Sequence, residues 1–501
     1  MKKIILSLAV LALLVVSCNL DEEPKGVIPR DNAIKTVEDA EGWMRYEYIY
    51  MRAYSAGSYV YRTEIASDFF NPVLDYGNRQ GDAYRWDWNS GSEFTDLWAG
   101  AYSGINHACF VIETVENMDK SEFDSDELKR LNKVLGVAHF TKAYLGLKLL
   151  EYYAPVYNSS NAGKYGIMLV DLHRPTGDIN SYPGRSTVAE SYEWVKTELE
   201  QAGTYLASYA GTPGADEITV DVVNAFKARL ALYMGDYDKA ISLSTALVDG
   251  GKYPLCETAA EMKNLWTNDS GQECILQLFS DANSTPSTLD PTYYGLSAGK
   301  YRPDWIINKW VASTLYNPTD LRFQTWFQTG VTVTVSIGTA SGMTLMNKFP
   351  GNSALATSET AHLQKIKPFR IAEQYLIAAE AFARKGGADA VACQYLDKLG
   401  TKRDPSYINV TLTGDALIEY IKDEWAREFI GEGYRWFCLK RWGDGMQRTA
   451  PQLAALVHTG GSNAAALLMN VTASDYHWLE PIPADEISSN PQIREQQNPG
   501  Y

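Results

Sequence analysis

The feature that most constrains this chain is the segment Asn224–Tyr253, NAFKARLALYMGDYDKAISLSTALVDGGKY. Ala225, Ala228, Leu232 and Tyr233 fall at helical spacing, Gly235-Asp236-Tyr237 breaks the helix, and Ala240, Leu243 and Leu247 resume the period on a second one. Gly250-Gly251 then ends it. Small residues at Ala228 and Ala240 let two antiparallel helices approach closely. One such hairpin cannot bury its apolar face alone, so it must be stacked against others.

The spacing is the tetratricopeptide pattern without its usual tryptophan and terminal proline. Phe369–Leu399 predicts a second hairpin: Ile371, Tyr375, Ala378, Ala379 and Phe382 make one face, and Gly386-Gly387 turn the chain. Helical patterns at Leu131–Tyr153 and Thr187–Leu206 pair as a third unit around a long loop. A fourth begins near Val37 and ends near Val115, with Trp98, Tyr102 and Ile105 on one face. Two stretches break the periodicity. In 269–364, Pro, Gly, Ser and Thr are dense, and Thr329–Ile337 (TGVTVTVSI) alternates as a short strand or hairpin arm. The other stretch is 68–92, and both are rich in Trp and Tyr.

The N-terminus fixes the compartment. Lys2 and Lys3 precede the apolar run Ile4–Val16, which is too short for a bilayer, since a spanning helix takes about 20 residues. It reads as a signal-peptide core. Leu14-Val15-Val16-Ser17-Cys18 has the form of a lipobox, so residues 1–17 are expected to be removed and Cys18 lipidated. Several acyl chains then hold the protein to a membrane, each buried methylene adding about 0.8 kcal/mol. Residues 18–35 carry the acidic run NLDEEP and no apolar period, and read as a tether.

With 61 Asp and Glu against 45 Lys and Arg, a net charge of −16, the chain repels nucleic acid and anionic membrane surfaces. Beyond Cys18, the cysteines Cys109, Cys256, Cys274, Cys393 and Cys438 are odd in number, widely spaced and without C-x-x-C. They read as small buried hydrophobes rather than a disulfide framework or a metal site. No H-E-x-x-H, phosphate loop or dinucleotide motif occurs. Gly295-Leu296-Ser297-Ala298-Gly299 is a literal G-x-S-x-G. A nucleophile elbow, however, needs a strand before and a helix after, and Pro291 and Pro303 flank this one. No catalytic residue, cofactor or metal is assigned.

Several segments together resemble one family. PFRIAEQYLIAAEAFARKGG (Pro368–Gly387), IKDEWAREFIGEGYRWFCLKRWG (Ile421–Gly443), PGRSTVAESYEWVKTELEQA (Pro183–Ala202) and LEPIPADEISSNPQIREQQNPGY (Leu479–Tyr501) are similar to SusD/RagB-type nutrient-binding lipoproteins. The acidic run after Cys18 resembles the surface-export signal of Bacteroidetes lipoproteins. Departures are Cys438 where Asp is usual, Trp425 where Arg is common, and Leu399-Gly400-Thr401-Lys402-Arg403 in place of an Asn-x-x-Arg helix end. Glu424, Arg427 and Glu428 share one helix face, and with Trp425, Trp436 and Trp442 interleaved they predict a partly buried ion-pair network, cross-braced by Arg435 and Arg441.

The resemblance implies a mainly α, SusD-like fold of tetratricopeptide-like hairpins plus a loop-rich part with a few short strands. The division follows as 36–268 for the N-terminal helical part and 269–501 for the C-terminal part, with 269–364 as its loop-rich insert. It also implies a non-catalytic, lipid-anchored outer-membrane protein facing the exterior. Such a protein binds a glycan, or a peptide as in the RagB branch, and passes it to a SusC-like TonB-dependent transporter. A protein-binding repeat scaffold and a secreted hydrolase are the rival readings. From loop placement and aromatic type, the expected ligand contacts are Tyr76, Trp86, Trp88, Tyr293, Tyr294, Tyr301 and Trp305, with Arg79, Asp82 and Asn89 bonding hydroxyls.

Overall fold

In the computed structural model, residues 32–91, 96–281, 283, 288, 290–357 and 362–501 are described. Cys18, the signal segment and the acidic run lie outside them. Helix α1 (Val37–Ala53) is opened by a capping box at Thr36. There follow α2 (Ser58–Ala66), α3 (Leu97–Glu116), α4 (Ser125–Tyr153) and α5 (Val188–Tyr205). The predicted hairpin is α6 (Val220–Met234) and α7 (Tyr237–Asp249). Gly235 takes the left-handed conformation at φ 73°, and the Asp236 side chain accepts the Lys239 amide at 3.1 Å, so one dipeptide ends α6 and starts α7.

Each expected hairpin forms. α4 packs on α3 and α5, and α10 (Ile371–Lys385) packs on both α7 and α11 (Asp389–Arg403). The α4–α5 contact depends on missing side chains: a Cβ on Gly146 would sit 2.6 Å from the Trp194 ring, and one on Gly136 2.5 Å from Leu206. Between α7 and α10 come α8 (Ala259–Thr267) and a short helix α9 (Leu321–Trp326); α12 (Gly414–Phe429) and α13 (Arg435–Trp442) follow α11. The main hydrophobic core runs from Ile34 to Ile493, and a smaller cluster around Tyr294, Val331, Val333 and Leu345 lies on the four-stranded sheet. The free cysteines Cys109, Cys256, Cys274, Cys393 and Cys438 are all buried.

The strands are short. β1 (Phe70–Pro72) pairs antiparallel with β5 (Trp305–Ile307), in the register Pro72 to Trp305. β2 (Cys274–Leu278) pairs with β8 (Ile366–Arg370). β3 (Leu296–Ser297), β4 (Lys300–Tyr301), β6 (Phe327–Val335) and β7 (Gly338–Met346) form a four-stranded sheet, and Met446–Gln447 pairs antiparallel with Asn470–Val471 in a further two-stranded one. The alternating segment at 329–337 is therefore a hairpin arm, β6, turning through Ser336-Ile337. The G-x-S-x-G motif is the β3–β4 turn: Leu296 pairs with Tyr301 and Ser297 with Lys300, both motif strand residues are exposed, and no helix follows.

The predicted ion network exists, but its bracing differs from the expected one. Glu424 and Glu428 are buried. Their partners are Arg322, Arg370, Arg403 and Arg427, not Arg435 and Arg441. Arg435 instead pairs with Asp68 at 2.7 Å, and Arg441 with Glu380 at 2.6 Å. Helix α13 leaves α12 through Gly431 and Gly433, both at positive φ, and that bend points its arginines away from the α12 face.

Candidate functional site

The β1–β5 pair brings the two irregular stretches of the sequence into one structure. Beyond β1, the chain turns through residues 76–89 over the strand β5. Three non-glycine residues of this turn have positive φ: Asn78 at 59°, Gln80 at 59° and Trp86 at 55°. Each left-handed residue costs energy, most for a bulky side chain, and such conformations persist only where the surroundings over-determine them.

The surroundings here are aromatic. Trp86 is buried against Trp88 at 5.3 Å, Trp436 at 6.2 Å and Trp478 at 4.7 Å, and its indole N–H donates to the Ala66 carbonyl at 2.7 Å. Tyr76 packs edge-on to Trp305 at 5.4 Å. Tyr293 stacks on Phe70 at 4.7 Å. Tyr294 meets Tyr301 at 5.2 Å, and Gln328 donates to the Tyr301 hydroxyl at 3.1 Å. Among these rings Tyr76, Trp86, Trp88, Tyr293, Tyr294 and Trp305 are buried, and only Tyr301 is partly exposed.

This corrects the expected aromatic platform: those six rings face the core, where they hold the turn, and present no face to a ligand. The polar residues between them point outward. Arg79, with 60% of its side chain exposed, binds Asp304 through two N–H groups, and this pairing raises its pKa further. Asp82 accepts from Arg62 at 2.6 Å, and Arg85 donates to Asp87 at 2.8 Å. Asn89 is exposed and its side-chain oxygen accepts the Gly91 amide at 3.0 Å.

A side-chain relay locks the turn. Asn463 donates to the Tyr76 oxygen at 2.8 Å, the Tyr76 hydroxyl donates to Asn78 at 3.0 Å, and Arg85 donates to both Asn78 at 2.8 Å and Asn463 at 3.2 Å. Sequence reasoning missed Arg62, Arg85, Asp304 and Asn463. Asp304 and Asn463 reach the turn only through the tertiary fold, and no local pattern marks them. Arg85 carried a signal, lying within the stretch already singled out. The arrangement is a rigid polar rim of paired guanidinium and carboxylate groups over an aromatic underlay. It offers hydrogen bonds in fixed directions.

The comparisons with known proteins agree with the architecture. The model of the SusD family matches residues 285–501, and that of a family described as starch-binding associating with outer membrane matches residues 36–215. Among similar solved structures, a SusD superfamily protein from Bacteroides thetaiotaomicron VPI-5482 is 22% identical, with 93% of this chain and 100% of that one covered at a TM-score of 0.76. Surface glycan-binding protein A from Bacteroides fluxus is 18% identical over 93% of this chain and 99% of that one, at a TM-score of 0.66. A laminarin binding SusD-like protein is 16% identical over 93% of this chain and 100% of that one, at 0.67. No curated protein sequence matches the chain. Two family models on separate parts of the sequence, and one fold shared along nearly its whole length, place this chain in the SusD/RagB family.

Proposed function

We propose that this protein is a surface lipoprotein that captures oligosaccharide or polysaccharide and delivers it to a SusC-like TonB-dependent transporter, without cleaving it. The lipid on Cys18 tethers it to the outer membrane, and the repeat array holds the binding rim outside the cell. Support for glycan cargo comes from the neighbours: two proteins of the same fold are described as glycan-binding and laminarin binding. The starch-binding family description carries the outer-membrane association.

The single observation that carries the binding site is the strained polar turn 76–89 laid over buried rings. Rigid rims of this kind bind polyhydroxy chains at low ordering cost, because the protein groups are already fixed. In this reading Arg79, Asp82 and Asn89 bond sugar hydroxyls, with Asp304 and Arg85 as further contacts. Tyr301 supplies the accessible ring face.

Affinity electrophoresis through gels containing polysaccharides tests it. At least one glycan retards the protein, Arg79→Ala and Asn89→Ala reduce the retardation, and no reducing ends are released on incubation. Binding of peptides with no glycan retardation shifts the cargo to peptide. Released reducing ends that vanish on replacing one side chain would make it a hydrolase.

A further inference from the structure

The ion pairs of the rim are not evenly exposed. Arg62 of α2 binds Asp82 at 2.6 Å, and Arg85 binds Asp87 at 2.8 Å. In both pairs the cation lies beneath its partner: the Arg62 side chain is 14% exposed against 33% for Asp82, and Arg85 12% against 46% for Asp87. The third pair has the reverse order, with Asp304 at 18% beneath Arg79, but Nε and Nη2 of Arg79 are both engaged by the Asp304 carboxylate.

A fourth carboxylate, Asp75, is exposed. It accepts the backbone N–H of Ser336 and, at 2.7 Å, the Ser336 hydroxyl; among the described residues no cation lies within ion-pair distance of it. Asp82 and Asp87 stand on one turn, where the Asp87 amide donates to the Asp82 carbonyl at 3.3 Å. Each uses only Oδ2 on its arginine, and Oδ1 has no protein partner among the described residues.

The outer layer of the rim is therefore richer in carboxylate than in guanidinium. A carboxylate oxygen accepts hydrogen bonds and cannot donate, so a sugar hydroxyl completes it. The carboxylate of a uronate, or a sulfate ester, adds acceptors where acceptors already stand. To reach Arg62 or Arg85 it must displace Asp82 or Asp87. Like charges this close repel within the screening length of roughly 10 Å at 0.1 M salt. The net charge of −16 acts in the same direction.

We propose that Asp75, Asp82 and Asp87 form an acidic screen that sets the specificity of the rim: it admits uncharged polysaccharide and rejects polymers that carry uronate or sulfate. This specificity rests on the 76–89 turn being the glycan-binding site.

Affinity electrophoresis of the purified protein tests it, with laminarin, xyloglucan and galactomannan as uncharged polymers and polygalacturonate, alginate and chondroitin sulfate as anionic ones. At least one of the first three retards the protein, and none of the second three does. The uncharged polymer that retards most is then oxidised at C6 to its uronate form, which weakens wild-type binding about tenfold. Asp82→Asn combined with Asp87→Asn keeps the oxygen acceptors. It still binds the uncharged polymer and binds the oxidised one roughly fivefold tighter than the wild type does, the scale of two exposed charges. Asp238→Asn combined with Glu193→Gln removes two exposed carboxylates from α7 and α5 instead, and gains nothing. The screen is refuted by an anionic polymer that retards the protein as strongly as any uncharged one, by unchanged binding after oxidation, by no gain in the rim variant, or by an equal gain in both double variants. Glycan capture itself survives all four results. If no polymer of either kind retards the protein, glycan capture falls, and the screen with it.

Discussion

Arg370 donates to Glu428 at 2.7 Å in the core, with both side chains fully sealed from solvent. Glu428 also accepts from Arg403 at 3.0 Å and Arg322 at 2.9 Å, and Glu273 bridges Arg370 and Arg403 from the other side. The guanidinium groups hold the Glu428 carboxyl far below the usual range, although burial alone would raise it. Four elements are cross-linked here: β8 through Arg370, α9 through Arg322, α11 through Arg403 and α12 through Glu428. Replacing Glu428 by Gln strands cations that have already lost their water. Removal of one partner from a buried pair costs about 3–5 kcal/mol. Urea unfolding of Glu428→Gln should show a loss of that size, with m unchanged. A loss under about 1 kcal/mol would mean that water reaches the network.

The rings of the 76–89 turn separate stability from binding. Trp86 is 4% exposed and packed among three other tryptophans. Trp86→Ala should cost about 3–5 kcal/mol, as buried aromatic truncations do, and lower the melting temperature by several degrees. Arg79→Ala removes an exposed pair worth about 0–1 kcal/mol and should leave melting nearly unchanged while reducing glycan retardation. Scanning fluorimetry beside affinity electrophoresis on the two variants checks this. A thermally neutral Trp86→Ala would show that the ring is not part of the core.

The helical array was legible because its signals are local: Gly235-Asp236 and Gly386-Gly387 mark turns, and Ala228 and Ala240 mark close packing. The ion network was half legible. Glu424 and Glu428 share a face within one turn, but Arg322 lies 106 residues and Arg370 58 residues from Glu428, so no spacing rule selects them over Arg435. The aromatic turn was the least legible. Residue type shows that Trp86 and Trp88 are valuable but not which way they face. Their direction follows from left-handed backbone at Asn78, Gln80 and Trp86, which sequence patterns do not anticipate at non-glycine positions.

Stability should depend on pH through Glu64. Its carboxylate accepts the amides of Gly431 at 3.1 Å and Gly433 at 2.7 Å, but burial wins and pushes its pKa up to about 7. In the unfolded chain it titrates near about 4.3. The folded state therefore binds more protons between these values, and Glu64 contributes stability that is full below about pH 4 and lost as pH rises through about 7. Glu380 acts in the opposite sense: Arg441 and Arg384 hold it down to about 2 against the burial that would raise it, so its contribution is present above about pH 4.3 and lost toward pH 2. Glu64→Gln should flatten the decline in melting temperature between about pH 4.5 and 7.5 and leave the acid limb in place. An identical pH profile in the variant would show that Glu64 is ionised throughout that range.

The C-terminal segment is docked rather than loose, and Arg185 is its clamp. The guanidinium donates to the carbonyls of Gly166 at 2.9 Å, Gln496 at 2.6 Å and Tyr153 at 2.9 Å, and to the Asn498 side chain at 3.0 Å. Asn498 in turn donates to Tyr153 at 2.9 Å and Glu480 at 2.6 Å. Among the described residues no carboxylate serves the buried guanidinium directly, and burial brings its pKa down to about 10. The charge is held by carbonyl dipoles, including Tyr153 at the C-terminal end of α4, where the helix dipole favours a cation. An ammonium cannot reproduce this fork, because its three donors radiate from one atom. Arg185→Lys should therefore lose about 1.5–3 kcal/mol, the scale of a hydrogen bond to a charged group. Amide hydrogen exchange should locate the loss: protection should fall first across residues 482–501, before α4 opens. Faster exchange confined to α4, with the tail unchanged, would make Arg185 a helix cap and leave the tail held by its other contacts, among them Asn498 to Tyr153, Asn490 to Pro183 and the buried Ile493.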